Sequence, residues 1–129
     1  MFMVDRLADA INTIKTNERI GREHCNVYST KLVRSVLDAM KRASYIESYE
    51  EFSERHAKML KVKLTNRINS IGVIKPRLSV NANEIVEKES RYIPSRDFGI
   101  LIISTSQGIM SSNEIKDKNL GGKLIAYVY

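Results

Sequence analysis

Gly99-Ile100-Leu101-Ile102-Ile103-Ser104-Thr105-Ser106-Gln107-Gly108 is the stretch on which the fold turns. Ile100 to Ile103 is an unbroken apolar run of strand type, and it predicts a strand buried on both faces. Ser104 to Gln107 follow at once, all small or amide polar residues, and Gly108 ends the run. Such a run is poor core material. It fits a loop whose hydroxyls, amide and backbone N–H groups meet a ligand, or a plain Ser/Thr turn. A hydroxyl both donates and accepts, so it can read a base edge, a ribose hydroxyl or a phosphate. Gly108 would let a backbone or a base come close.

Downstream, Ser111-Ser112-Asn113-Glu114 has the spacing of a capping box for a short helix, which Gly121-Gly122 would end. Leu124 to Tyr129 reads as an edge or pairing strand. Upstream, Asn81 to Arg91 predicts a short helix with Glu84 reaching back to Asn81, and Pro94 cannot continue it. This second unit is expected to begin near Val73, with Lys75-Pro76-Arg77 as the junction. In the first unit, Leu7, Ile11 and Ile14 recur at i, i+4, i+7, the face of a helix from Asp5 to Arg19 with Asp5 as N-cap and Gly21 as stop. Glu23 to Tyr28 reads as a strand. Ser29-Thr30 offers a cap for a helix carrying Leu32, Val33, Val36, Leu37 and Met40 on one face and Lys31, Arg34, Asp38 and Lys41 on the other. Leu60, Val62 and Leu64 alternate with Lys61, Lys63 and Thr65, a half-buried strand. Tyr45, Ile46, Tyr49 and Phe52 suggest its partner, with Glu50, Glu51 and Glu54 at the turn between them. The expected class is α+β: two small mixed domains, 1–72 with order α-β-α-β-β and 73–129, with antiparallel strands packed on short helices.

The 129 residues carry 21 Lys and Arg against 15 Asp and Glu, a net charge of +6. A basic balance of this size points to a polyanion, nucleic acid or an anionic membrane surface. The first 72 residues hold 13 basic and 9 acidic groups and the remainder 8 and 6, so neither half holds all the basicity. The longest apolar run falls far short of the roughly 20 residues a bilayer span needs. With one cysteine and no apolar run after Met1, the expectation is a cytoplasmic chain without a disulfide framework or signal peptide.

Catalytic and metal chemistry are hard to assemble. His24 and Cys25 are neighbours on a strand and point to opposite faces, so with His56 they give no ligand set, and Cys25 reads as a core thiol. An enzyme using the Ser-Thr-Ser loop on a phosphate or nucleotide would need a general base nearby, and only Glu114 is at hand. Phosphate recognition is easier to build. Lys31 falls in the first turn of a helix beside Ser29 and Thr30, where free N–H groups attract an anion and a lysine is otherwise out of place. The plain alternative is a solvated lysine. The Lys61 and Lys63 row also fits simple protection of a strand face.

The block from Gly99 to Met110, followed by Gly121-Gly122-Lys123 and the Tyr127-Val128-Tyr129 ending, closely resembles the C-terminal signature of the small ribosomal subunit protein eight family. Ser29-Thr30-Lys31-Leu32 and Tyr45-Ile46 resemble that family's helix start and the segment after the helix. Arg91 to Gly99 and the aromatic ending resemble its archaeal or eukaryotic-type branch. Gln107 stands where bacterial members usually have Lys or Arg, and Lys123 where they have Glu; Arg77 to Asn81 also departs from their pattern.

The resemblance implies a structural, non-enzymatic constituent of the small ribosomal subunit in the cytoplasm. It implies direct binding to the central domain of 16S ribosomal RNA during assembly, with ribosomal proteins as neighbours. It implies no cofactor, no metal, no membrane and no small-molecule substrate. It puts RNA contacts on Ser29, Thr30 and Lys31, and on Ser104, Thr105, Ser106, Gln107, Gly108 and Gly122.

Overall fold

The computed structural model describes residues 6–95, 98–116 and 118–129. The expected cap at Asp5 lies outside them. The chain divides into two compact units, Met1–Ile68 and Asn69–Tyr129.

The first unit runs α1 (Arg6–Arg19), β1 (His24–Tyr28), α2 (Lys31–Arg42), β2 (Ile46–Glu54) and β3 (Ala57–Leu64). Its antiparallel sheet has the order β1-β3-β2. Leu7, Ile11 and Ile14 of α1 and Val33, Val36, Leu37 and Met40 of α2 are buried, and so are Leu60, Val62 and Leu64 on one side of β3. The helical and strand periods thus place one apolar face of each element in a common core. The first helix ends where Gly21 N–H bonds to Glu18 O (3.2 Å) and Arg22 N–H to Asn17 O (3.0 Å), the paired bonds of a glycine-closed helix end. Cys25 is buried at 5% exposure and His24 is exposed, on opposite faces of β1.

Glu50 and Glu51 do not form the turn. They belong to β2, with Glu50 facing Lys61 and Glu51 facing Leu60 across the ladder. Lys58 Nζ and Arg34 Nη1 stand 4.0 and 3.7 Å from the Glu51 carboxylate. The outer positions of a half-buried strand are as solvated as a turn, so charge alone did not separate the two. The turn is Arg55-His56, both at positive φ (49° and 67°), the backbone a two-residue hairpin prefers.

The second unit runs β4 (Ile71–Val80), a 3₁₀ turn (Ala82–Glu84), α3 (Ile85–Tyr92), β5 (Ile100–Thr105), β6 (Gly108–Ser111), α4 (Ser112–Lys116) and β7 (Gly122–Val128). The sheet order is β4-β7-β5-β6. Leu101 and Ile103 pack with Ile85 of α3, Ile115 of α4, and Ile74, Val80, Ile93, Met110 and Leu124. Ile100 and Ile102, pointing the other way, are also at 2% exposure or less, so β5 is buried on both faces as its apolar run requires. Glu84 accepts from the Asn81 N–H at 3.1 Å, the expected reach back. The buried Glu89 of α3 meets Lys116 of α4 at 2.8 Å, an ion pair joining the two helices. Lys75-Pro76-Arg77 is not a junction: it lies inside β4. Pairing with β7 is interrupted between Val73 and Leu78, and β4 is an edge strand, where the missing N–H of a proline is tolerated. The strand expected from Leu124 is β7, Gly122–Val128, and it is a pairing strand and not an edge, since it lies between β4 and β5.

Where β7 begins, its backbone presses on the end of β5. A Cβ on Gly122 would overlap the Ser104 carbonyl and stand 3.0 Å from Ile103 Cγ2.

Two outcomes follow from this architecture. Gly122→Ala should lower stability by about 1–3 kcal/mol through overpacking, read by chemical denaturation, and should shift the amide resonances of residues 103–105. Burial, assisted by the Glu18 charge, raises the Cys25 thiol from 9.0 to about 11. The folded chain therefore keeps its proton where the unfolded chain has lost it, and the stability this represents is present below pH 9 and lost as pH rises toward 11. Cys25→Ala should flatten the fall in stability over that interval, and native Cys25 should resist iodoacetamide until the chain unfolds.

Candidate nucleic-acid interface

The expected site residues form two clusters, one in each unit. In the second unit, β5 and β6 join in a tight hairpin with Thr105 opposite Gly108 and Ser106-Gln107 at its tip. Thr105 closes the hairpin with its side chain: Oγ1 accepts from the Gln107 N–H (3.1 Å) and donates to the Gly108 carbonyl (2.7 Å). Gly108 takes φ +111°, a conformation open to glycine and strained for L side chains. Ser104 is half-buried, while Ser106, Gln107 and Gly108 are exposed. Among the described residues neither the Ser104 nor the Ser106 hydroxyl has a hydrogen-bond partner. Two hydroxyls are thus free on a backbone that a third has fixed. Gly122 contributes by having no side chain, which lets β7 approach the Ser104 carbonyl.

Lys123 is a residue that the sequence reading left out of the site. It is exposed and lies opposite Ser104 across the β5–β7 ladder. A cation therefore stands beside the loop. Lys123 is far from Ser104 in the chain, and the strand register brings the two together; the sequence signal for it was its place next to Gly122.

In the first unit, Thr30 is the N-cap of α2, and its Oγ1 accepts from the Val33 N–H at 3.1 Å. Ser29 Oγ accepts from Arg34 Nη1 at 2.8 Å. Both hydroxyls keep a proton to donate. Lys31 is exposed at the first position of α2, where the leading N–H groups of the helix have no intrahelical acceptor. No carboxylate occupies that first turn. Lys31 adds positive charge to a helix end already favourable to anions, while the Arg34 guanidinium is shared between the Ser29 hydroxyl and the Glu51 carboxylate.

The arrangement can donate hydrogen bonds and hold phosphate. The loop's own side chains, Ser104 to Gln107, include no general base. Glu114, the one carboxylate in reach by sequence, takes a hydrogen bond from the Ser111 hydroxyl (3.2 Å), whose oxygen accepts from the Glu114 N–H (3.4 Å) in the cap of α4. Among the described residues no three His, Cys, Asp or Glu side chains are grouped to hold a metal ion. No described helix is long and apolar enough to cross a membrane.

The chain is 44% identical over 126 residues to the small ribosomal subunit protein uS8 of the archaeon Picrophilus torridus, an alignment that covers 97% of this chain and 98% of that protein. The resemblance to the archaeal-type branch noted in the Tyr-Val-Tyr ending agrees with this relative. The family model described as "Ribosomal protein S8" matches residues 5–129, and with it the chain belongs to the ribosomal protein S8 family.

Proposed function

We propose that this chain is a structural constituent of the small ribosomal subunit that binds the central domain of the subunit's ribosomal RNA directly and fixes its fold during assembly. Membership of the ribosomal protein S8 family and the near full-length likeness to an archaeal relative support the ribosomal role. It is a binding protein and not an enzyme, working in the cytoplasm where the subunit works, with ribosomal RNA and other ribosomal proteins as partners. The observation that carries direct RNA contact is the hairpin at Ser104–Gly108, with two unspent hydroxyls on a backbone locked by Thr105.

The mechanism divides between charge and shape. Lys31 and Lys123 meet phosphates and supply affinity that salt weakens. Ser104 and Ser106 meet base edges or ribose hydroxyls of unstacked nucleotides, where RNA can be read by sequence. Thr105 acts through the hairpin conformation, Gln107 adds an amide at its tip, and Gly108 and Gly122 allow the close approaches. Ser29 and Thr30 shape the α2 end and donate their remaining protons. The hairpin is rigid before RNA arrives, so little ordering entropy is lost on binding.

The test compares Ser106→Ala and Lys31→Ala on a central-domain RNA fragment and on an unrelated RNA helix, at two salt concentrations. Ser106→Ala should weaken the cognate fragment by about 1 kcal/mol or more and leave the unrelated helix, the salt slope and the thermal midpoint unchanged. Lys31→Ala should weaken both and lower the log–log salt slope by roughly 0.7–0.9. Equal losses on both RNAs for Ser106→Ala would remove the hairpin as a specificity element. A wild-type affinity that stays flat as salt rises several-fold would remove the phosphate contacts.

A further inference from the structure

We propose that the groove between α1 and β1 is a pocket for an unpaired nucleobase that carries an exocyclic amino group; this rests on the RNA-binding function above. The groove has a volume of about 350 Å³ and is lined by Asp9, Asn12 and Thr13 of α1, Asn26 and Tyr28 of β1, and Met59 of β3. That volume falls at the small end of the range for ligand pockets, which starts at about 300 Å³. Tyr28 leads directly into Ser29-Thr30-Lys31, so the groove adjoins the α2 end already assigned to phosphate.

The wall chemistry selects the occupant. Asp9, Asn12, Asn26 and Tyr28 are all exposed, and among the described residues nothing bonds to the Asp9 carboxylate, the two amides or the Tyr28 hydroxyl. The Thr13 hydroxyl donates to the backbone carbonyl of Asp9 (2.8 Å), which leaves the Asp9 carboxylate open. A carboxylate repels phosphate, so the groove is not a second phosphate site. It accepts hydrogen bonds from an amino group, while each amide both donates and accepts, and together they match the mixed edge of adenine, guanine or cytosine. Tyr28 is 44% exposed and has the Arg6 guanidinium 4.0 Å from its ring centroid, giving aromatic and guanidinium planes of the kind on which unstacked bases rest. Met59 adds a polarizable apolar contact. One nucleotide could thus place its phosphate at Lys31 and its base, or its neighbour's base, in the groove.

The experiment is a chemical footprint on small-subunit ribosomal RNA, using reagents that modify the base-pairing edges of adenine, cytosine and guanine. Wild-type protein should shield one unpaired amino-bearing nucleotide whose reactivity returns with Asn12→Ala/Asn26→Ala, while shielding by the Ser104–Gly108 hairpin persists. Changing that nucleotide to uridine, which has no amino group, should weaken wild-type binding roughly tenfold and Asp9→Asn binding far less. These side chains are exposed, and unchanged thermal midpoints will show that the variants fold. A wild-type footprint that the double variant leaves intact overturns the pocket and spares RNA binding. No wild-type footprint at all overturns RNA binding and the pocket together. An intact footprint with loss of a protein crosslink from Tyr28→Leu in the assembled subunit assigns the groove to a protein partner and overturns the nucleobase.

Discussion

The start of β7 meets the end of β5 so closely that position 122 has no room for a Cβ beside the Ser104 carbonyl. The rest of the second unit depends on that approach. It lets β7 pair with β4 on one side and β5 on the other, making the last strand of the chain an interior one. An interior β7 shields one edge of β5, and β6 pairs with the other, so the apolar run at Ile100–Ile103 can be buried without exposing unpaired backbone. The polar residues that follow emerge from this support on a short hairpin, with Lys123 carried alongside. Core packing and the proposed RNA contact are therefore consequences of the same strand arrangement.

Both candidate clusters follow one local logic. A threonine satisfies backbone groups, and the residue after it is left exposed. Thr105 locks the β5–β6 hairpin and leaves Ser106 free; Thr30 caps α2 and leaves Lys31 free. A hydroxyl bonded within its own loop contributes shape, because its geometry is already committed. A free hydroxyl on that loop contributes recognition, and a free lysine contributes charge that tolerates imprecise placement. On the proposed function, the order of residues in Ser104-Thr105-Ser106 matters as much as their polarity. Exchanging the roles of the hydroxyls would leave the composition unchanged and the turn unsupported.

The parts of the fold fixed by near neighbours were legible in the sequence. Alternation at Leu60, Val62 and Leu64, the apolar face of α2, its Thr30 cap and the Glu84 reach to Asn81 all act within a few residues. The misreadings came from features whose meaning is set by distant pairing. Glu50 and Glu51 read as a turn because the neighbours that make them strand residues lie on β3. Lys75-Pro76-Arg77 read as a break because a proline is excluded from interior strands, and nothing local says that β4 is an edge. The Ser104–Gly108 loop was visible as a polar run ending an apolar one. The pairing of Lys123 with Ser104 and the α1–β1 groove were not, since each joins residues that only register and packing bring together.

On the proposed function, the Ser104–Gly108 hairpin has its recognition geometry before RNA binds. Backbone ¹⁵N relaxation and residual dipolar couplings on residues 103–109, free and bound to a central-domain RNA fragment, test it most directly. Order parameters of about 0.85 in both states, equal to those of the flanking strands, and couplings that fit one backbone conformation are the expected result. A hairpin with order parameters below about 0.6 that stiffens or changes conformation on binding RNA would contradict it.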